Sequence, residues 1–354
     1  MRETPTTSCW WRPGPASVPR RRWARALREC RRRGEAEAAR AERDPAARLG
    51  ALGSFGPSSR RELAVRRLLL AARVPPEAVA LLGMLWPGRR QRERWFGLAR
   101  RLAFWAGVRR RLSREHWTSL TRGVPVLVYH AFTDTDPSGR YVLSGRAFAR
   151  QLWTLRALRF RPLGFEELAS VLAQGRLPPG RTVVITLDDG YADNLEVACP
   201  ILRRHGFTAT IFLVSGRLGA TNDWARDPLL RGRPLLAPGQ LSRLREAGLG
   251  FGAHTRTHPA LPELSDGRLQ EEVAGGRAEL GRELGAAPTT FAYPYGRFDE
   301  RAVAAVRAAG FVGAATTEPR LVWPADDPAL IPRIEIRGDD SLARFLLKLW
   351  LGPG

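Results

Sequence analysis

Lysine is almost missing from this chain. Of its 57 basic residues only Lys348 is not arginine, and the background is rich in Ala, Gly and Pro. Such a bias can reflect codon usage alone. Cysteine is scarce as well. Cys9, Cys30 and Cys199 are scattered, which excludes a disulfide framework and a zinc knuckle. No run of 18 apolar residues exists. The best stretch, AVALLGMLW at 78–86, is too short for a bilayer span, which needs about 20 residues. The opening MRETPTTSCWWRPGP has no apolar core before its arginines, so no secretory signal is read. These absences lead to the expectation of a cytoplasmic or peripheral-membrane protein.

What the chain has is positive charge, unevenly placed. The formal net charge is +22. Residues 1–120 hold 28 Arg against 10 acidic residues, and seven of the 11 Trp, whereas residues 121–354 hold 29 basic against 25 acidic residues. A basic, Trp-rich arm can meet anionic lipid, meet nucleic acid or mean nothing beyond composition, and nucleic acid is the least favoured. Residues 1–60 lack an apolar face and are expected to stay loose. Residues 61–121 turn amphipathic and break at Pro75-Pro76, with Trp95, Phe96, Leu98, Leu102 and Trp105 at roughly helical spacing. They form either a helix packed on the main domain or an interfacial helix, placing an anionic membrane surface opposite residues 62–120.

From Val124 the texture becomes βα alternation, defining a domain over 122–354. VPVLVY, TVVITL, FTATIFLV, GLGFGA, TTFAY, GFVGAAT and LIPRIEI read as strands. Helical patterns lie at 146–158, 165–174, 193–205, 238–247, 266–284 and 299–309, several ending at Gly206, Gly248, Gly285 or Gly310. About seven parallel strands in this order predict an α/β fold, a distorted (β/α) barrel preceded by a basic, partly helical region.

In such barrels chemistry collects at the carboxyl ends of strands. Those ends carry His130, Asp188-Asp189-Gly190, His254 with His258, and Tyr293-Pro294-Tyr295-Gly296. Two histidines at i, i+4 can aim at one cation, and with one carboxylate they make a three-ligand divalent-metal site with open positions. The second carboxylate is then the natural general base for an acidified water. A zincin peptidase in its usual form is excluded, because Thr255 stands where H-E-x-x-H needs Glu. An iron oxygenase has matching ligand types but is expected on an all-β scaffold. His205 closes a helix and His116 lies in the basic arm, so both are read as structural. Cys199 is read as core, and Trp224 as either a cleft-lining ring or a loop anchor.

TLDDGYADN, HTRTHP and FAYPYG, in this order, resemble the first three motifs of the polysaccharide deacetylases, whose shared unit is the NodB homology domain. The resemblance covers about 124–346, and the opening YH strand resembles a subset of that family. It implies a metal-dependent hydrolase of carbon–nitrogen bonds other than peptide bonds, removing N- or O-acetyl groups from a sugar polymer, oligosaccharide or lipid-linked sugar. Carried over, Asp188 is the base, and Asp189, His254 and His258 are the ligands of a divalent ion, zinc being expected. Tyr295, with Pro294 and Gly296 beside it, supplies a backbone N–H to the oxyanion. Three departures stand out. Leu187 replaces the usual Phe. The third motif lacks its base-holding Arg, a place open to Arg333 unless that residue makes a surface ion pair. No His follows His258, which leaves His130 as the candidate general acid, with a fourth ligand or a packed strand-end residue as its alternatives. A deacylase of another small molecule, or a non-catalytic membrane-surface protein with a retired site, are the competing functions.

Overall fold

The computed structural model describes residues 20–43, 69, 74–85, 88–113, 123–134 and 139–351. Cys9 and His116 lie outside the described residues, as does the 1–60 arm apart from 20–43. The chain divides into two compact units that part between Ser113 and Arg114.

The first unit contains three helices, α1 (Arg20–Arg43), α2 (Pro76–Met84) and α3 (Arg89–Arg111). The expectation of a loose arm therefore fails over α1. The cause is a contact that hydrophobicity does not register. A Cβ on Gly34 would sit 2.1 Å from the Phe104 carbonyl oxygen, and one on Gly107 would sit 2.0 Å from that of Arg31. Bare backbone on both helices lets α1 and α3 approach closely. Leu27 of α1 then joins Val79 and Ala80 of α2 and Ala99, Leu102 and Ala103 of α3 in one cluster, with Trp95, Phe96 and Leu98 against it. Helix α2 begins at Pro76, where the missing N–H is no loss. Beyond its buried face, Leu81, Leu82 and Leu85 stand exposed. No helix among the described residues is long and apolar enough to cross a membrane.

The second unit is built on β1 (Val126–Tyr129), β2 (Ala131–Thr133), β3 (Val142–Ser144), α4 (Gly145–Ala157), β4 (Arg161–Leu163), α5 (Phe165–Ala173), β5 (Thr182–Leu187) and α6 (Cys199–His205). There follow β6 (Thr210–Leu213), α7 (Pro238–Glu246), β7 (Gly250–Ala253), α8 (Asp266–Gln270), α9 (Gly276–Leu284), β8 (Thr290–Ala292), α10 (Glu300–Ala308), β9 (Gly313–Ala315), β10 (Ile334–Glu335) and α11 (Leu342–Leu351). The main sheet runs β10-β1-β5-β6-β7-β8-β9, with β4 on β5. Every pairing along it is parallel. A further parallel bridge joins Ala315 to Ile331, just before β10. The result is a sheet curled into a half-barrel, and its seven-strand path is the one expected.

β5 is buried along its whole length, as a parallel strand covered on both faces must be. Helix α5 turns Phe165, Leu168, Ala169 and Leu172 into a core with Val126, Val184, Phe212, Ala292, Ala315 and Ile331. Each such side chain contributes about 1.5–3 kcal/mol by leaving water. Gly206, Gly248, Gly285 and Gly310 all take positive φ at helix ends, as their positions suggested. Two expected helices are not uniform. π-helical turns occupy Asn194–Ala198 ahead of α6 and Glu271–Gly275 between α8 and α9.

Candidate metal centre

Strand pairing sets the site. Tyr129 of β1 pairs with Leu187 of β5, so His130 and Asp188 leave adjacent strands at the same level. Ala253 of β7 pairs with Leu213 of β6 and Phe291 of β8, which puts His254 on the same rim. The Asp188 N–H donates to the Tyr129 carbonyl and that of His254 to the Leu213 carbonyl, at 2.9 and 2.8 Å, so both begin as extensions of the sheet. The chain then leaves the sheet sharply. Asp189, Thr255, His258 and Tyr295 all have left-handed φ, between 58° and 70°. Gly190 and Gly296 follow two of them in the same region, and a Cβ on Gly296 would overlap Thr317.

The turns bring Asp189, His254 and His258 together, all buried. The two Nε2 atoms are 3.2 Å apart, and Asp189 Oδ1 lies 3.4 Å from His254 Nε2 and 3.3 Å from His258 Nε2. Two bonds of about 2.0–2.1 Å at a tetrahedral angle separate their ligand atoms by about 3.3–3.4 Å. The triangle thus has the size a tetrahedral cation demands. Its chemistry agrees. His254 Nδ1 lies 2.7 Å from the Ala292 carbonyl, which fixes the proton there and leaves Nε2 a lone pair facing the centre. These donors fit a divalent metal.

Asp188 sits beside this triangle. Arg333 donates to its Oδ1 from Nη1 at 2.6 Å and to its Oδ2 from Nη2 at 2.7 Å. The Arg333 guanidinium also donates to the Thr316 carbonyl and the Thr186 hydroxyl, at 2.9 and 3.1 Å. Arg333 is fully buried, so the surface ion pair is ruled out. Burial alone would raise the Asp188 carboxyl, but Arg333 outweighs it and the net shift is downward. Asp189 likewise resists burial and lies well below the usual carboxylate range, drawn down by His258 and His254. His254 rises through its contact with Asp189 despite burial, whereas burial takes His258 down.

His130 is half-buried, its ring edge-on to Tyr141 at 4.9 Å. Its carbonyl accepts from Asn194 Nδ2 at 3.0 Å, and its charge is among those lowering Asp188 and Asp189. Trp224 stacks on the His258 ring at 4.8 Å, and Tyr295 meets that ring edge-on at 4.7 Å from the other motif. Tyr295 is half exposed, while Pro294 is buried beneath it. His205 ends α6 and Cys199 is buried, in keeping with their structural reading.

Two residues escaped the sequence reading. The Tyr191 hydroxyl donates to Asp189 Oδ2 at 3.0 Å, and Asn222 Nδ2 donates to the Tyr191 oxygen. Both are fully buried and turn Oδ1 toward the histidines. The motif-adjacent place of Tyr191 in LDDGY was the available signal; Asn222 had none.

Residues 175–314 match the model of the polysaccharide deacetylase family. YxkH of Bacillus subtilis (strain 168), described as a candidate polysaccharide deacetylase, is 27% identical over 197 residues. The match takes in 55% of this chain and 65% of that one, so just under two thirds of the relative is spanned. The poly-beta-1,6-N-acetyl-D-glucosamine N-deacetylase of Staphylococcus epidermidis (strain ATCC 35984) is 26% identical over 64% of this chain and 82% of its own. In fold, the Streptococcus pyogenes deacetylase PplD, solved in complex with acetate, matches with a TM-score of 0.57 at 24% identity. That likeness covers 64% of this chain and 98% of PplD.

Proposed function

Because the chain carries a polysaccharide deacetylase domain, we propose that it hydrolyses acetamido groups on an N-acetylated glycan, with a glucosamine-type polymer as the favoured substrate. The observation that carries this reading is the Arg333-held Asp188 beside the Asp189–His254–His258 triangle. Asp189, His254 and His258 would hold the cation, and the tetrahedral spacing of nitrogen and oxygen donors favours zinc. When bound, such an ion supplies Lewis-acid polarisation of the acyl oxygen and a more acidic water.

The residues of the chain do the rest. Asp188, kept ionised by Arg333, takes the proton as water adds to the acyl carbon. The Tyr295 backbone N–H, carried on the exposed Pro294–Gly296 turn, donates to the oxyanion of the tetrahedral adduct. As the carbon–nitrogen bond breaks, His130 delivers a proton to the leaving nitrogen, giving acetate and a free amine. Trp224 and Tyr295 flank His258 with ring faces and edges suited to a sugar.

The test is acetate release from N-acetylglucosamine oligomers and polymer by zinc-loaded protein, with chelated protein as control. Absence of release from every chain length by metal-replete enzyme would sink the reading.

For the first unit, we propose contact with an anionic membrane surface. The excess of arginine over residues 1–120 and the exposed Leu81, Leu82 and Leu85 support it.

A further inference from the structure

The ligand loop between His254 and His258 has an odd problem. It must place two imidazoles on one point within five residues. It does so with Thr255 and His258 in left-handed backbone, a conformation that costs a non-glycine residue roughly 1–2 kcal/mol. Something outside the loop must hold it.

We propose that Glu272 is that group: a positioning residue that sets the His254–His258 loop for metal binding. The inference rests on the metal-centre reading above. Glu272 is 1% exposed, and its carboxylate is wholly spent on the loop. Oε2 accepts the backbone N–H groups of Arg256 and Thr257 at 2.9 and 2.8 Å, and Oε1 accepts the Thr257 hydroxyl at 2.6 Å. The nearest basic partner among the described residues is Arg268, at 3.8 Å and more than half exposed, so the buried charge is met chiefly by loop donors. On the loop's other side, Ser215 and Gly216 donate their N–H groups to the Thr255 and Arg256 carbonyls at 3.1 and 2.9 Å. Thr255 closes the arrangement by accepting the His258 N–H on its hydroxyl at 2.9 Å. The loop thus has its backbone donors tied to one carboxylate and its acceptors tied to one strand end.

The helix is shaped for this task. Glu272 lies in the π-helical turn Glu271–Gly275, and such turns recur at functional sites. One turn on, a Cβ at Gly276 would come within 3.1 Å of Arg256 N and Thr255 C, a squeeze that glycine avoids. From the next turn Glu279 takes Ser215 Oγ at 2.7 Å and Arg256 Nε at 2.7 Å, bracing both flanks.

The experiment measures zinc affinity of the full chain by chelator competition, alongside the melting temperature of the metal-free form. Glu272→Ala should weaken zinc binding about 10–100-fold, the usual effect of losing a group that orients ligands. Glu272→Gln should stay near wild type, since its amide oxygen can accept both N–H groups and its NH2 can donate to the Thr257 oxygen. Glu272→Asp, one methylene short, should behave like the alanine variant. Thr257→Val removes only the hydroxyl bond; it should weaken zinc several-fold while leaving the metal-free melting temperature unchanged, and it decides the matter if Glu272→Ala does not fold. Wild-type affinity in Glu272→Ala or Thr257→Val would overturn the proposal, as would equal losses in Glu272→Gln and Glu272→Ala. Failure of wild-type protein to bind zinc would instead overturn the metal-centre reading.

Discussion

Arg333 offers the most direct access to the chemistry. Substituting Met keeps a long, unbranched side chain and removes the charge. Asp188 then stays buried with its Arg333 ion pair gone, losing both charge-assisted bonds of 2.6 and 2.7 Å. Breaking a buried pair from one side costs about 3–5 kcal/mol, a large part of a domain's stability. The pH dependence should reverse in sign. In the native protein Asp188 is depressed, so its contribution is present above the unfolded carboxylate value of about 3.9 and is lost as pH falls through the lower folded value. Without Arg333 desolvation dominates and the folded value rises, so stability then declines as pH increases through it. For turnover, a raised Asp188 is protonated over a wider range, and the acid limb of kcat/KM for acetate release should move to higher pH. Arg333→Lys keeps a charge without the fork and should fall between wild type and Arg333→Met. Zinc content, measured on the same samples, should stay unchanged. An Arg333→Met enzyme that keeps its metal and its acid limb would refute the coupling of Arg333 to the base.

Asp189→Ala should lose bound zinc, whereas Asp188→Asn should keep it and lose turnover by about 10²–10⁴-fold; the opposite pattern would interchange the two carboxylates. His130→Ala should retain metal and slow amide hydrolysis by a similar factor, with a smaller effect on activated esters that need no proton on leaving. Near-normal amide turnover would remove it as the acid. Deleting residues 1–113 should abolish salt-sensitive binding to phosphatidylglycerol vesicles, and undiminished binding by the shortened chain would end the membrane proposal.

The seven strands of the main path were readable because parallel strands covered on both faces leave continuous apolar runs, as in TVVITL. β2, β3 and β4 have three residues each, too few for any period to emerge, and β4 carries Pro162. Helix α1 was missed because its packing face depends on Gly34, which scores as a helix breaker. The ligand triad was legible from spacing and strand ends. Arg333 was only half legible, since 145 residues separate it from Asp188 and the strand order β10-β1-β5 is what joins them. Tyr191, Asn222 and Glu272 were invisible as functional groups. A glutamate within the helical pattern at 266–284 looks like a solvent-facing residue, and its burial against the ligand loop is set by tertiary packing.

The left-handed backbone at Asp189, Thr255, His258 and Tyr295 also bears on how this protein can be engineered. Glycine at any of the four relieves local strain, so selection for heat resistance alone would be drawn to these positions. Each such gain removes a proposed ligand, the hydroxyl that receives the His258 N–H, or the aromatic edge beside His258. Durability and turnover are therefore opposed at this rim. Improvement without loss of turnover has to be sought elsewhere, in the α5 core or the helix caps of the second unit.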